Sequence, residues 1–186
     1  SSRSGARTRS ASASSPITET RTIANDLPRI ASGGPGMSGT LRTRTLVETW
    51  IEAHPPRPGD AWHPYPLSTR VGNWIAALTL VPELASPELS LSLWRQLQRL
   101  ERNVEDDVLG NHVIRNARAL VLGGAAFGAA ELTRRGIGIL RREVPEQILR
   151  DGGHYERSPS YHLVVLRDLL EIQAVSPHSW LAEAID

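Results

Sequence analysis

The stretch GNHVIRNARALVLGG, residues 110–124, decides the fold because it carries two different patterns on one segment. Its apolar and small residues recur at the three- and four-residue steps of one face of an α-helix. These residues predict a helix from about residue 106 to 128 with one buried side, and they are Val113, Ala117, Leu120, Val121 and Gly124.

A second face of this helix is polar. Asn111, Arg115 and Arg118 fall on it at helical spacing, and His112 and Asn116 lie beside it. Two interpretations stay open at this point. The face is either a line of amides and guanidiniums that binds a ligand, or a solvated surface on which Asn111 and His112 simply begin the helix.

The same helical period runs through most of the chain and predicts an all-α class with antiparallel helices joined by short loops. The other predicted helices span residues 41–53, 66–80, 87–103, 130–149 and 158–174, and a short one begins at 176–177. Ser-Pro pairs at 86–87 and 158–159 are typical of an N-cap followed by the first helical turn. We find no segment whose apolar and polar residues alternate as a strand requires.

Composition excludes several classes of protein. The 186 residues suit one domain, the lack of cysteine excludes disulfides, and no apolar run reaches membrane-spanning length. A net charge of +1 argues against a nucleic-acid-binding protein, although all 21 basic residues are arginines, which suit carboxylates and sulfates. Residues 1–40 predict a flexible Ser/Arg/Gly-rich leader, and residues 41–186 the helical domain.

The first residues, SSRSGARTRS, contain neither an initiator Met nor an apolar signal segment. We therefore expect a piece of a longer chain or a chain that has lost a leader. The location stays open: periplasmic or secreted if a leader was removed, and cytoplasmic otherwise.

The stretch DGGHYERSPSYH, residues 151–162, gathers titratable side chains between two predicted helices. The sequence places His154, Tyr155, Glu156 and Arg157 on the loop, and Tyr161 and His162 in the first turn of the next helix. Polar groups at a helix N-terminus lie near free backbone N–H groups, which favour anions. The alternative is that the tyrosines pack the loop onto the core while Glu156 and Arg157 pair at the surface.

A third stretch, DAWHPYPLSTRVGNWIAAL, spans residues 60–78 and places three aromatic residues near Arg70 and Asn73. A tryptophan beside an arginine is typical of a sugar-binding platform, in which the ring stacks and the cation holds an acid group. Tryptophan also fills hydrophobic cores, so a packing role for Trp62 and Trp74 is the alternative.

These three stretches, in this order and spacing, resemble the N-terminal helical domain of the heparinase II/III-like polysaccharide lyases, a group that includes alginate lyases. The resemblance covers roughly residues 45–175. It is carried by the pattern W-x-x-Y-x-x-x-x-R-x-x-N-W from Trp62 to Trp74, by GNHVIRNARAL and by DGGHYERSPSYH.

The resemblance implies an incomplete α/α toroid followed by a β-sandwich domain. It implies β-elimination on a uronic acid in an acidic polysaccharide, with no cofactor and no metal in the elimination step. Such a reaction needs a group that neutralises the substrate carboxylate, a base that removes the adjacent carbon-bound proton, and an acid that protonates the leaving oxygen.

By position in the family motifs, the resemblance implies that Asn111 neutralises the carboxylate and that His112 is its partner or a base. Tyr161 matches the catalytic tyrosine best, with Tyr155 as its competitor. The resemblance also implies a substrate-binding set, of which Arg70, His154 and Arg157 are expected either to contact acid groups of the substrate or to lower the pKa of the catalytic tyrosine. The set is Arg70, Trp74, Arg115, His154, Tyr155, Glu156, Arg157 and His162.

The chain departs from the family in having no strand-rich segment, so we expect a C-terminal β-sandwich in a full-length protein and little activity from this chain alone. Two alternatives remain. A hydrolase would need two facing carboxyl groups, for which Asp151 and Glu156 are candidates. A non-catalytic helical module would bind an anionic glycan or a protein partner.

Overall fold

The computed structural model describes residues 37–105 and 110–186. The helices in these ranges are α1 (Met37–Ala53), α2 (Pro64–Leu80), α3 (Pro87–Arg102), α4 (Asn111–Ala126), α5 (Ala130–Gln147), α6 (Pro159–Val175) and α7 (Ser179–Ile185). Short 3-10 turns lie at Asp60–Trp62 and Pro82–Leu84. Within the described ranges, β pairing is limited to one isolated bridge, so the all-α prediction is confirmed.

The helix boundaries follow the capping signals in the sequence. Ser86 and Ser158 each accept a hydrogen bond from the backbone N–H three residues later, and a proline follows each serine. Helix α1 begins four residues inside the segment predicted as a leader; the rest of that segment, and residues 106–109 of the predicted central helix, lie outside the described residues. Closure of the helices into a toroid stays a prediction.

Helix α4 is the centre of the domain and packs against α2, α3, α5 and α6. Fourteen of its 16 residues are buried, and the exceptions are His112 near the start and Ala125 near the end. The polar face is buried as well, because Asn111, Arg115 and Arg118 are only 6%, 4% and 1% exposed. The interpretation of this face as a solvated surface is therefore wrong, since α2 and α6 cover it.

A buried ion-pair cluster joins α4 to α6. Arg115 Nε donates to Asp168 Oδ2 at 2.7 Å, and Arg118 Nε lies 3.5 Å from Asp168 Oδ1. Arg118 also pairs with Glu171, and its guanidinium lies directly against Gly72 of α2. The cluster thereby fixes the position of α6, and of the loop that precedes it, relative to α4.

The contact between α4 and α5 depends on a glycine. A Cβ atom added at Gly136 would lie 2.7 Å from Val121 Cγ2 and 2.8 Å from the backbone oxygen of Ala117. Two helices approach this closely only where one of them lacks a side chain. Among the described helices, none is long and apolar enough to cross a membrane.

We expect Gly136→Ala to lower the free energy of unfolding by about 2 kcal/mol, because the added methyl group pushes α5 away from α4. Gly138, two residues later in the same helix, is the matched control, because a Cβ atom there meets nothing within 4 Å. Gly138→Ala should stabilise the domain by about 0.5–1 kcal/mol. Urea denaturation of the two variants measures both effects, and equal changes in the two would contradict the close contact.

Candidate active site

The loop between α5 and α6 folds back onto the end of α5. The backbone N–H of Leu149 donates to Gly153 O, and that of Tyr155 donates to Gln147 O, both at 2.9 Å. Asp151 Oδ1 accepts from the N–H of Gly153 at 3.0 Å, so Asp151 is a turn residue. This compact turn directs the residues after it toward the N-terminus of α4.

Two side chains of the loop lie against the residue that precedes α4. A Cβ atom built on Gly110 would be 3.0 Å from the hydroxyl oxygen of Tyr155 and 2.9 Å from Glu156 Oε1. Gly110 has a φ of 69°, a left-handed conformation that favours glycine. Asn111 follows it as the first residue of α4, so the phenol and carboxylate of the loop lie against the residue that precedes the predicted carboxylate-binding Asn111.

Gln147 joins these two parts of the chain. Its Nε2 donates to Gly110 O at 3.0 Å, and its Oε1 accepts from His154 Nε2 at 3.1 Å. His154 Nδ1 in turn accepts from the backbone N–H of Glu156 at 3.4 Å. Both nitrogens of the buried His154 ring are thus used inside the protein, which requires a neutral imidazole with its proton on Nε2.

Burial lowers the pKa of His154, Glu156 opposes this, and His162 lowers it further. Because the folded-state pKa lies below the unfolded value of about 6.5, protonation favours the unfolded chain, and stability falls as pH falls below about 6.5. We expect His154→Gln to weaken this dependence. Unfolding free energies of the wild-type protein and of His154→Gln, measured at pH values of about 7.5 and 5.5, test this prediction. The same change in unfolding free energy between the two pH values in both proteins would contradict a buried, neutral His154.

The other predicted residue at the start of α4, His112, lies on Tyr65. The two rings stack with centroids 4.1 Å apart, and His112 Nδ1 is 3.5 Å from Glu105 Oε1. Glu105 is buried and also contacts His63 and Asn116. Sequence reasoning missed Glu105 because it precedes α4 outside any periodic segment, and a single acidic residue there carries no signal of burial.

The tryptophan-rich stretch forms a packing cluster. The guanidinium carbon of Arg70 lies 4.1 Å from the ring centroid of Trp50 and 5.9 Å from those of Trp62 and Trp74. Arg70 Nε donates to Gln96 Oε1 at 2.7 Å, and burial lowers the pKa of Arg70 to about 10. This geometry favours the core interpretation over a sugar platform.

The remaining predicted residues lie on the surface around the start of α6. Arg157 and His162 line a cleft of about 660 Å³ between the loop, α6 and the end of α7. Tyr161 is 46% exposed, and its backbone N–H donates to Ser158 Oγ. Among the described residues, no hydrogen bond, ion pair or ring contact joins the side chain of Tyr161 to Asn111.

The environment of Tyr155 differs from the expected one. Burial raises the pKa of Tyr155, and the carboxylates of Glu156 and Glu143 raise it further. For Tyr155 this direction is the opposite of the lowering expected for the catalytic tyrosine, because its charged neighbours are acidic. The phenol is protonated at neutral pH. In the part of the chain that the structure describes, no group of three or more acidic or histidine side chains is arranged to hold a metal ion.

Comparison with known proteins agrees with the helical domain and its motifs. The family model described as Heparinase II/III N-terminus matches residues 45–185. A heparin-sulfate lyase of Bacteroides thetaiotaomicron is 28% identical over 158 residues, which cover 75% of this chain and 22% of that protein. A heparin-sulfate lyase of Bacteroides stercoris is 38% identical over 61 residues, 31% of this chain and 9% of that protein.

The chain thus spans about a fifth, or less, of the length of these two relatives. No solved structure matches it significantly. The family match covers about three quarters of the chain, including the helices and the loop that form the candidate site. This chain therefore belongs to the heparinase II/III N-terminal family.

Proposed function

We propose that this chain is the helical part of a polysaccharide lyase that cleaves acidic, uronate-containing glycans by β-elimination. The observation that carries the proposal is that Asn111 and His112 begin α4 while the Tyr155 hydroxyl lies at Gly110, the residue that precedes them. The names of the two relatives, both heparin-sulfate lyases, support an acidic glycan as the substrate.

The N-terminus of α4 suits a substrate carboxylate. The first backbone N–H groups of a helix have no partner within the helix, and the helix dipole is positive at that end. The amide of Asn111 adds a neutral hydrogen-bond donor at the first helical position. Together these groups stabilise the enolate-like charge that forms when the neighbouring carbon loses its proton.

His112 and Tyr155 are proposed as the proton-transfer pair. His112 removes the proton next to the substrate carboxylate, and the phenol of Tyr155 protonates the leaving glycosidic oxygen. The phenol of Tyr155 carries its proton at neutral pH, as a general acid must, and the raised pKa makes it a weaker proton donor than a free tyrosine. Tyr161, the better match to the family motif, is the alternative acid.

Five of the predicted substrate-binding residues fall into two groups. Arg157 and His162 line the cleft between the loop, α6 and the end of α7, and they are proposed to contact anionic groups of the glycan. Arg70, Arg115 and His154 already bind internal partners, and we propose that they hold the site in place. The carboxylate of Glu156 also lies at Gly110, and it is proposed to orient the Tyr155 hydroxyl.

We also propose that a C-terminal β-sandwich domain of the complete protein closes the cleft over the glycan. Closure would exclude water and strengthen the electrostatic interactions on which β-elimination depends. The alternative is a non-catalytic helical module that binds an anionic glycan or a protein partner.

The test is an assay of the gene product that carries this chain, with heparan sulfate and alginate as substrates and dextran as a neutral control. A rise in ultraviolet absorbance from unsaturated uronate products with an acidic polymer supports the lyase. New reducing ends without that absorbance would indicate hydrolysis. Binding to an acidic polymer with no cleavage would indicate the non-catalytic module.

A further inference from the structure

Glu105 is a buried carboxylate that the sequence patterns did not predict. It is 4% exposed and lies on the segment that leads into α4. Its Oε1 is 3.5 Å from His112 Nδ1 and also 3.5 Å from His63 Nδ1. A buried carboxylate requires compensation, and these contacts place it beside the proposed catalytic base.

Asn116, one turn further along α4 than His112, holds the carboxylate in place. Its Nδ2 donates to Glu105 Oε2 at 3.1 Å, and its Oδ1 accepts from the backbone N–H of Glu105 at 3.2 Å. The same Nδ2 lies 3.3 Å from Ser68 Oγ, and that hydroxyl donates to Tyr65 O. The carboxylate and the tyrosine that stacks on His112 therefore belong to one hydrogen-bonded unit.

The His112 ring is held on its face and at one nitrogen. The ring of Tyr65 covers the face, and Glu105 lies at Nδ1, while 35% of the His112 side chain stays exposed. Within the described residues, no hydrogen bond involves Nε2 of His112. A carboxylate accepts hydrogen bonds only, so the neutral imidazole that faces it carries its proton on Nδ1.

We infer that Glu105 is a positioning residue: it holds His112 with its proton on Nδ1 and leaves the lone pair of Nε2 free to accept the proton from the uronate. This inference rests on the proposed function. In the elimination, the C–H proton passes to Nε2 and its electron pair forms the double bond. The C–O bond breaks, and the leaving oxygen takes a proton from Tyr155. Glu105 then stabilises the imidazolium.

Glu105→Gln tests this inference with little change in volume. The side-chain oxygen of Gln can still accept from Asn116, whose orientation is fixed by the backbone N–H of residue 105. The new NH2 group then faces His112 Nδ1 and requires that nitrogen to accept. We therefore expect the His112 proton to move to Nε2, as read from the imidazole nitrogen chemical shifts of nitrogen-15-labelled protein at a pH of about 8.5.

His63→Gln is the matched control, because His63 contacts the same carboxylate oxygen but its side chain is 61% exposed. His112 should keep its proton on Nδ1 in this variant. Retention of the Nδ1 proton in Glu105→Gln would overturn the inference, as would the same tautomer change in both variants.

Activity provides a separate measurement in the gene product that carries this chain. We expect Glu105→Gln to lower kcat by about 10- to 100-fold with little change in KM, and Glu105→Asp to recover part of the loss. An unchanged kcat despite the tautomer change would overturn the positioning role. The tautomer change in a protein that cleaves no acidic glycan would support the orientation of His112 and contradict the lyase proposal.

Discussion

Asp168→Asn is expected to lower the free energy of unfolding by about 3–5 kcal/mol, because it leaves two buried guanidinium groups without their shared carboxylate. Asp168 is fully buried and contacts Arg115 and Arg118 of α4 at 2.7 and 3.5 Å. Burial raises the pKa of Asp168, and the two arginines oppose this by stabilising the charged form. Asn is nearly isosteric, so the substitution tests the charge rather than the packing.

The matched control is Glu131→Gln, which removes the carboxylate of an ion pair with Arg134 on the surface of α5. Both side chains of that pair are about 70% exposed, and such pairs contribute less than about 1 kcal/mol. Chemical denaturation of the two variants measures the difference. Similarly small losses of unfolding free energy in Asp168→Asn and Glu131→Gln would contradict a buried cluster that holds α6 on α4.

The second large effect is expected in catalysis. Tyr155→Phe should lower kcat on an acidic glycan by at least about 100-fold, which is the contribution of a general acid. Its hydroxyl lies at Gly110, next to Asn111, whereas Tyr161 is exposed in the first turn of α6. Tyr161→Phe should therefore change kcat by only a few fold.

Both substitutions remove one hydroxyl group from a partly exposed ring, so the two variants are controls for each other in folding. Their unfolding free energies should agree with that of the wild-type protein. If Tyr161→Phe lowers kcat strongly and Tyr155→Phe lowers it only slightly, the general acid is the tyrosine that matches the family motif and not the one that lies at Gly110. Unchanged activity in both variants would favour the non-catalytic module.

Local signals explain why the helices could be predicted. The Ser-Pro pairs at 86–87 and 158–159 begin α3 and α6 as expected, because capping acts between residues three positions apart. The candidate loop was also visible in the sequence, since its glycines and its cluster of titratable residues lie within twelve positions, 151–162.

The environment of each site residue depended on distant segments. The spacing of the polar residues of α4 would be the same whether that face were exposed to water or covered by α6. The ion-pair partner of Arg115 is Asp168, which lies 53 residues away in the sequence. The preference for Tyr161 rested on its match to the family motif, yet the contact with Gly110 belongs to the loop tyrosine, Tyr155. The periodicity of the sequence does not indicate whether the hydroxyl of Tyr155 or that of Tyr161 lies at the N-terminus of α4.

By itself, the sequence determined the all-α class, most helix boundaries and the family motifs, because helical period and capping are properties of neighbouring residues. Only the tertiary structure decided that the polar face of α4 is buried, that Arg115 binds Asp168, and that Glu105 lies at His112. These contacts arise where helices from different parts of the chain pack together and each buried charge must meet a partner.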